Sequence, residues 1–583
     1  MAACALGVLA FAGAADAAKK HHGAKERPEP VFDLVIHGGT IYDGSGGAPF
    51  VGDVAIKGDR IVYVGKGPAP GLSLSEIDAH GKAVSPGFVN MLSWATESLM
   101  VDGRGQSDLR QGVTLEVFGE GTSMGPITPT MKKRDEARQG DFKYPITWTT
   151  LDQYLTMLEK KGVSMNVASF IGAATVRDME LGEKDIQPTP AQLKRMRATV
   201  HKAMEDGALG VGASLIYTPA NYAKTPELSA LASESAMCGG NYIAHMRSEG
   251  DRLLEAVDET LQIGRESGGP VRIYHMKAAG KPNWEKEDAF ISRIETARAH
   301  GQRVSANMYT YTAGATGLDA AMPPWVQDGG LEAWIARMKD PKVRSRLIAE
   351  MRDPHPKYEN LYLRAGAEGT LLLAFKNPKL KPLTGRTLAS VAEERHESPE
   401  DAAIDLVIED GSRVGVAYFL MSEDNIKRQL ALPWVSFGSD EGAEQPSGVF
   451  LLSQPHPRAY GNFARVIGHY VRDEKALTMP EAIRRLSALP SKELALKDRG
   501  MLSKGYFADV VVFDPAKVQD HATFPKPQQF ATGIEDVLVN GKLALKDGEP
   551  TGAPTGRVVR GRAWKGWKGG GCKASAKAWS WYQ

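Results

Sequence analysis

The sequence predicts an α/β protein: a (β/α)8 TIM barrel with a small β-sandwich domain formed from both the N- and C-terminal segments. Three observations carry this. Short apolar runs alternate with amphipathic helical stretches over residues 86–499, eight such runs can be counted, and the flanking segments 31–85 and 500–560 read as antiparallel strands broken by turn residues.

The chain opens with Met1 to Lys19, an Ala-rich apolar run ending in Ala15-Asp16-Ala17-Ala18, which predicts a signal peptide over 1–18 and a periplasmic or secreted protein. It is too short to span a bilayer. A polar Lys/His/Pro linker fills 19–30. From Phe32 to Val64, apolar residues alternate with the turn signals Gly38-Gly39, Asp43-Gly44 and Gly58-Asp59, so short antiparallel strands are expected. The same look returns at Ala508–Phe513 and from Val537 to Asn540-Gly541.

The expected barrel strands are Gly87–Leu92, Val113–Gly119, Met165–Ile171, Leu209–Leu215, Tyr242–Met246, Val271–Tyr274, Val304–Tyr309 and Val435–Gly438. Closure leaves such a sheet no edge. The spacing between the last two is too long for one crossover, so residues 318–430 must hold an insertion, placed as a lid over the site. Residues 561–583 read as a basic tail. From Arg557 to Gln583 there are seven Lys/Arg, no acid, and Trp564, Trp567, Trp579 and Trp581, with no apolar period to support a helix face, so a disordered end is expected.

With 583 residues, 42% hydrophobic and 24% charged, the chain can bury a large core and more than one domain. Its 71 basic residues nearly cancel 70 acidic ones, so no overall field points to nucleic acid or an anionic membrane. A small molecule is the expected partner. Cys4 falls in the signal segment, and Cys238 and Cys572 are too few for a disulfide framework and lack CxxC spacing. Neither is a site candidate.

In a TIM barrel the functional groups stand where strands end at the C-terminal mouth. Collecting the polar residues there gives Glu120, His245, Arg247, His275, Lys277, Asn307, Tyr309 and Asp440. Two imidazoles and a carboxylate from separate strands can converge on one zinc ion and leave a fourth position for water, whose pKa then falls towards about 7. Asp440 is placed to take and return the proton.

Ala208–Pro219 (ALGVGASLIYTP), Ala244–Glu255 (AHMRSEGDRLLE), His275–Gly280 (HMKAAG), Gly438–Asp440 (GSD), His456–Gly461 (HPRAYG) and Gly505–Pro515 (GYFADVVVFDP) resemble the N-acyl-D-amino-acid deacylase (D-aminoacylase) family of the amidohydrolase superfamily. The resemblance runs from about residue 32 to 560. It implies hydrolysis of an N-acyl-D-amino acid, His245 and His275 as zinc ligands and Asp440 as catalytic acid/base. It also implies that Arg458 grips the substrate's free carboxylate, a job suited to a planar two-pronged donor, and that Lys277, Tyr217 and Tyr309 line the substrate pocket.

Two departures stand out. The superfamily has an HxH pair after strand one, where this chain reads Asn90-Met91-Leu92-Ser93-Trp94. Leu92 and Trp94 cannot bind a metal, so one zinc per chain is expected. The family's Cys ligand after strand two falls in a Gly-Asn-Cys-Gly turn, where this chain reads Gly119-Glu120-Gly121-Thr122. Glu120 is the expected substitute ligand, with Glu116, on the same strand face, as its rival. An ion pair of these glutamates with Arg247 or Arg104 is the blander alternative, as is a surface salt bridge for Arg458, and Asn307 is read as positioning Tyr309. Two other functions stay open: a cyclic-amide hydrolase or dipeptidase of the same superfamily, and a metal-free binding protein that has lost catalysis.

Overall fold

The computed structural model describes residues 31–572. The expected signal segment 1–18, the linker 19–30 and residues 573–583, with Trp579 and Trp581, lie outside the described residues. The protein is mixed α/β.

Strands Phe88–Asn90, Val113–Phe118 and Asn166–Ser169 pair in parallel in that order, and Ile171–Gly172 continues the third beyond Phe170. Gly210–Ser214, Asn241–His245, Val271–Ile273, Val304–Met308 and Val435–Phe437 then follow, each parallel to the one before. The run returns to its start, since Met91 N donates to Phe437 O at 3.1 Å and Asp440 N to Leu92 O at 2.8 Å. These strands are buried along their whole length, as parallel strands covered by helices must be.

The intervening helices follow from their own residues. Pro190–Glu205 begins with a Thr189–Gln192 capping box and proline in its first turn, which satisfies amide donors left free at a helix start. Leu253–Ser267 buries Leu253, Ala256, Val257, Thr260, Leu261 and Gly264, a three-and-four spacing that turns one stripe onto the sheet. Among the described residues no helix is long and apolar enough to cross a membrane.

Between Met308 and Val435 the chain leaves the parallel strands. Ala313–Gly317, Gly415–Phe419 and Thr370–Ala374 form a separate antiparallel sheet in that order. Helices such as Leu331–Met338 and Pro399–Asp410 surround it, and Trp334, Leu372, Leu406 and Val416 give the insertion its own apolar core.

The two ends do meet. Phe32–Ile41 pairs antiparallel with Phe50–Lys57, while Val510–Phe513 pairs antiparallel with Ala83–Pro86 on one side and Ile534–Val539 on the other, giving one nine-stranded sheet. Phe32–Ile41 takes Ser73–Asp78 as parallel partner at its start and Ala83–Pro86 at its end, changing over at an irregularity between Ile36 and Gly39.

Two expectations need correction. The segment from residue 561 is not a disordered tail as far as Cys572: Gly561 N donates to Gly207 O at 2.8 Å and Lys565 N to Glu205 O at 2.9 Å, with Val559 N on Val167 O just before them. Its lack of helical periodicity reflects an irregular strip whose donors are taken by loop and helix ends. Glycine permits the approach, because a Cβ on Gly561 would stand 2.3 Å from Ala208 O. Likewise Cys238 and Cys572, 334 residues apart, form a disulfide. Two cysteines make no framework, but one bridge suffices to fasten an end.

Candidate active site

Glu120 follows the second parallel strand between two left-handed glycines, Gly119 (φ 105°) and Gly121 (φ 70°). A Cβ on Gly119 would meet Phe170 O at 2.4 Å and one on Gly121 would meet Ser214 Oγ at 2.3 Å. Only glycine fits on either side, and the turn sends the Glu120 side chain inward. His245 ends its strand. His275 stands just past the next in a left-handed conformation (φ 32°), its backbone N–H donating to Asn307 Oδ1 at 2.8 Å. Asn307 therefore holds a histidine backbone, which corrects its reading as a support for Tyr309.

One carboxylate oxygen joins the three side chains. Glu120 Oε1 lies 3.2 Å from His245 Nδ1 and 2.9 Å from His275 Nε2, and the two imidazole rings stand 4.5 Å apart at 84°. All three residues are buried. Burial alone would push the Glu120 carboxyl up, but the His275 charge and hydrogen bonds from both imidazoles hold it well below its usual range.

Glu249 closes the other side of the pair, and the sequence reading missed it. Its Oε1 is 2.9 Å from His275 Nδ1 and its Oε2 is 3.6 Å from His245 Nε2, so one carboxylate faces the outer nitrogens of both rings. Lys277 Nζ lies 2.8 Å from Glu249 Oε1 and 2.7 Å from His275 Nδ1. Against burial and Lys277, the two carboxylates push His275 up to about 9. The only signal for Glu249 was a carboxylate four residues past His245.

This constellation fits a divalent metal. Ligand atoms of Glu120, His245 and His275, one from each, all lie within 4.8 Å of one another, and all three residues are buried. Zinc with ligands at about 2.0–2.1 Å in tetrahedral arrangement sets them roughly 3.4 Å apart, close to the spacings on Glu120 Oε1. The rival Glu116 lies elsewhere. Its Oε2 accepts from Asn90 Nδ2 at 3.0 Å, and the same amide reaches Asp108 Oδ2 at 3.0 Å and Ser439 Oγ at 2.7 Å. Burial pushes Glu116 up to about 7 and Asp108 well above its ordinary value, as expected of two carboxyls sharing a proton. Neither blander pairing occurs: Arg247 binds Glu259 and Arg104 binds Asp102.

Asp440 faces the constellation from the eighth strand end, in a left-handed conformation (φ 54°). Its Oδ1 accepts from Trp94 Nε1 at 3.0 Å and its Oδ2 is 2.9 Å from Arg458 Nη2. Burial pushes its carboxyl up while Arg458 pulls against that. Arg458 is 1% exposed, which removes the surface salt bridge as an account of it. Its Cζ sits 4.3 Å from the Tyr309 ring centre. The Tyr217 ring stands 5.3 Å from that of His245.

Glu120, Tyr217, His245, His275, Lys277, Tyr309, Asp440 and Arg458 all line one cavity of about 770 Å³. The insertion supplies much of its wall, including Asp319, Leu373 and Arg413. Arg413 had no sequence signal; it pairs with Asp319 at 2.8 Å and lies 5.0 Å from the Tyr217 ring centre.

Known proteins share this architecture. Residues 75–544 match the amidohydrolase family. The D-aminoacylase of Alcaligenes xylosoxydans xylosoxydans is 32% identical over 91% of this chain and 97% of its own, and the same organism's N-acyl-D-glutamate deacylase is 32% identical over 91% and 96%. The crystal structure of N-acyl-D-glutamate deacylase from Bordetella bronchiseptica, complexed with zinc and a phosphonate mimic of the tetrahedral intermediate, superposes with a TM-score of 0.74 at 28% identity, covering 91% of this chain and 99% of that one. Family match, near-complete coverage and the shared fold agree: this chain belongs to the amidohydrolase family, in its D-aminoacylase branch.

Proposed function

We propose that the protein is a zinc-dependent deacylase that hydrolyses the amide bond of N-acyl-D-amino acids, releasing a carboxylate and a free amino acid. Its relatives carry that activity in their names, and the observation that carries the reading here is one cavity holding a Glu–His–His constellation, a facing aspartate and a buried arginine. The architecture we assign is a (β/α)8 barrel whose mouth bears the site, with the insertion as its lid and the nine-stranded sheet as a β-sandwich domain.

Glu120, His245 and His275 would hold a single zinc ion. Bound there, zinc would supply hydroxide at neutral pH and polarise the scissile carbonyl. Glu249 orients the His275 imidazole from behind, as carboxylates do for metal-binding histidines, and faces the outer nitrogen of His245. Asp440 accepts a proton from the attacking water and returns it to the leaving amine. Arg458 grips the substrate carboxylate with Lys277 and Tyr309 beside it, while Tyr217 and the insertion wall shape the acyl and side-chain space. Strand one offers no second set of donors, because Leu92 is packed in an apolar cluster and Trp94 Nε1 is engaged on Asp440. The Cys238–Cys572 disulfide suits an oxidising compartment, in keeping with export.

Purified protein assayed on N-acetyl-D- and N-acetyl-L-amino acids, before and after chelation and after zinc return, tests this. Loss of D-substrate hydrolysis with the metal and its recovery near one zinc per chain is expected. Hydrolysis indifferent to chelation would overturn the mechanism, and absence of zinc with no turnover would favour a binding protein.

A further inference from the structure

Both oxygens of the Asp440 carboxylate are engaged in the free protein, one by the Trp94 indole N–H at 3.0 Å and the other by Arg458 Nη2 at 2.9 Å. The same Nη2 also donates to the Asp440 backbone oxygen at 2.7 Å. Asp440 thus holds Nη2 twice, through a hydrogen bond to its backbone oxygen and an ion pair with its carboxylate. Meanwhile Arg458 Nε and Nη1 are buried with no hydrogen-bond partner, the nearest other carboxylate being Glu441, 3.9 Å from Nε. Unpaired buried N–H groups are costly and point to a ligand that completes them. The guanidinium lines the cavity shared with Glu120, His245 and His275.

A planar guanidinium grips a carboxylate two-pronged along one of two edges, Nε with Nη2 or Nη1 with Nη2. Both edges include Nη2. A substrate carboxylate held in this way therefore competes with the Asp440 carboxylate for Nη2.

We propose that Arg458 is a shared latch: it ties down Asp440 Oδ2 until the substrate's carboxylate claims Nη2, and that exchange frees Oδ2 to handle the proton. The inference rests on the deacylase reading above and adds to it that the carboxylate is a trigger as well as a handle. No bond to carbon forms or breaks in this step. Trp94 keeps Oδ1 fixed throughout, so the carboxylate is released at one oxygen while its orientation is held. A substrate with the right acyl group but no carboxylate would bind with the base still tied.

The test uses full-length, zinc-loaded protein with an N-acetyl-D-amino acid and its decarboxylated analogue, the N-acetyl alkylamine of the same side chain. The latch predicts that the analogue loses about tenfold or more in kcat as well as in KM, and that tens of millimolar formate raises its turnover severalfold. It also predicts that Arg458→Gln, slower on the carboxylate substrate, exceeds the wild type on the analogue and ignores formate. An analogue with raised KM but unchanged kcat would overturn the latch, as would formate without effect on the wild type. If Arg458→Gln does not fold, the wild-type formate response decides alone. Failure to hydrolyse any N-acetyl amino acid would instead sink the deacylase reading, so the two failures are separable.

Discussion

Two turns at the ends of the parallel strands depart from the pattern that the family resemblance implies, with opposite results. After strand two, the Gly-Glu-Gly turn presses against Phe170 and Ser214 and delivers a carboxylate oxygen to both imidazoles. After strand one, Leu92 is buried among Val89, Met91 and Tyr274, and Trp94 extends to the rim to donate to Asp440. The first change keeps an anionic donor facing the histidines. The second offers no imidazole and supplies a hydrogen bond to Asp440, the proposed proton carrier. Whether a motif residue can be replaced depends on which atom reaches the same place.

The largest effect should come from breaking the first turn. Glu120→Gln keeps the size but loses the anionic donor, so about a third of a zinc affinity of ~10 kcal/mol or more should go, weakening binding roughly 100-fold or more by chelator competition. Glu116→Gln should leave zinc affinity unchanged. Equal effects of both variants would erase the distinction drawn between the two glutamates.

The strand-one turn is broken at Trp94. A hydrogen bond to a charged acceptor contributes about 1.5–3 kcal/mol, and the indole is 40% exposed, so Trp94→Phe should lower kcat by about tenfold. KM should stay within about twofold, since Trp94 touches Asp440 rather than the substrate-gripping groups. Trp94→His, which retains a ring donor, should recover part of the loss. A change confined to KM would make Trp94 a wall of the pocket and nothing more.

The smallest effect concerns Asn90, which ties strand one to Asp108, Glu116 and Ser439. In the unfolded chain Glu116 ionises near its ordinary value of about 4.3, whereas burial raises it to about 7 in the fold. Its stabilising contribution is thus complete below about pH 4 and is lost as pH rises through about 7. Glu116→Gln should flatten the fall in melting temperature between pH 5 and 8 by about 1–2 °C. An unaltered slope would show that Glu116 is ionised in the fold.

The eight parallel strands were legible because each is a short apolar run between helical stretches, a local pattern that survives in any context. His245, His275, Glu120 and Asp440 were legible as polar residues at the ends of such runs. Glu249 was not, because it lies four residues beyond its strand on an irregular loop where alternation gives no direction. The pairing of Val510–Phe513 with Ala83–Pro86 joins residues more than 400 positions apart, and nothing local in either strand names the other. Cys572 reads as an isolated thiol until the chain brings it to the end of the Thr225–Met237 helix. The engagement of Arg458 with Asp440 is likewise a meeting of a helix start, Arg458–Arg465, with a strand-end loop, visible only in three dimensions.

The Cys238–Cys572 bridge makes the last described stretch of this chain a seam rather than a loose hem. The strip from Arg557 to Cys572 lies over the ends of Asn166–Ser169 and Pro190–Glu205, and its far edge is sewn covalently to the next helix. Fraying of this strip is therefore arrested at Cys572. Closing so long a segment also removes about 6 kcal/mol of freedom from the unravelled chain in the chain-entropy account, so the outer face behind strands three and four resists peeling independently of the candidate site.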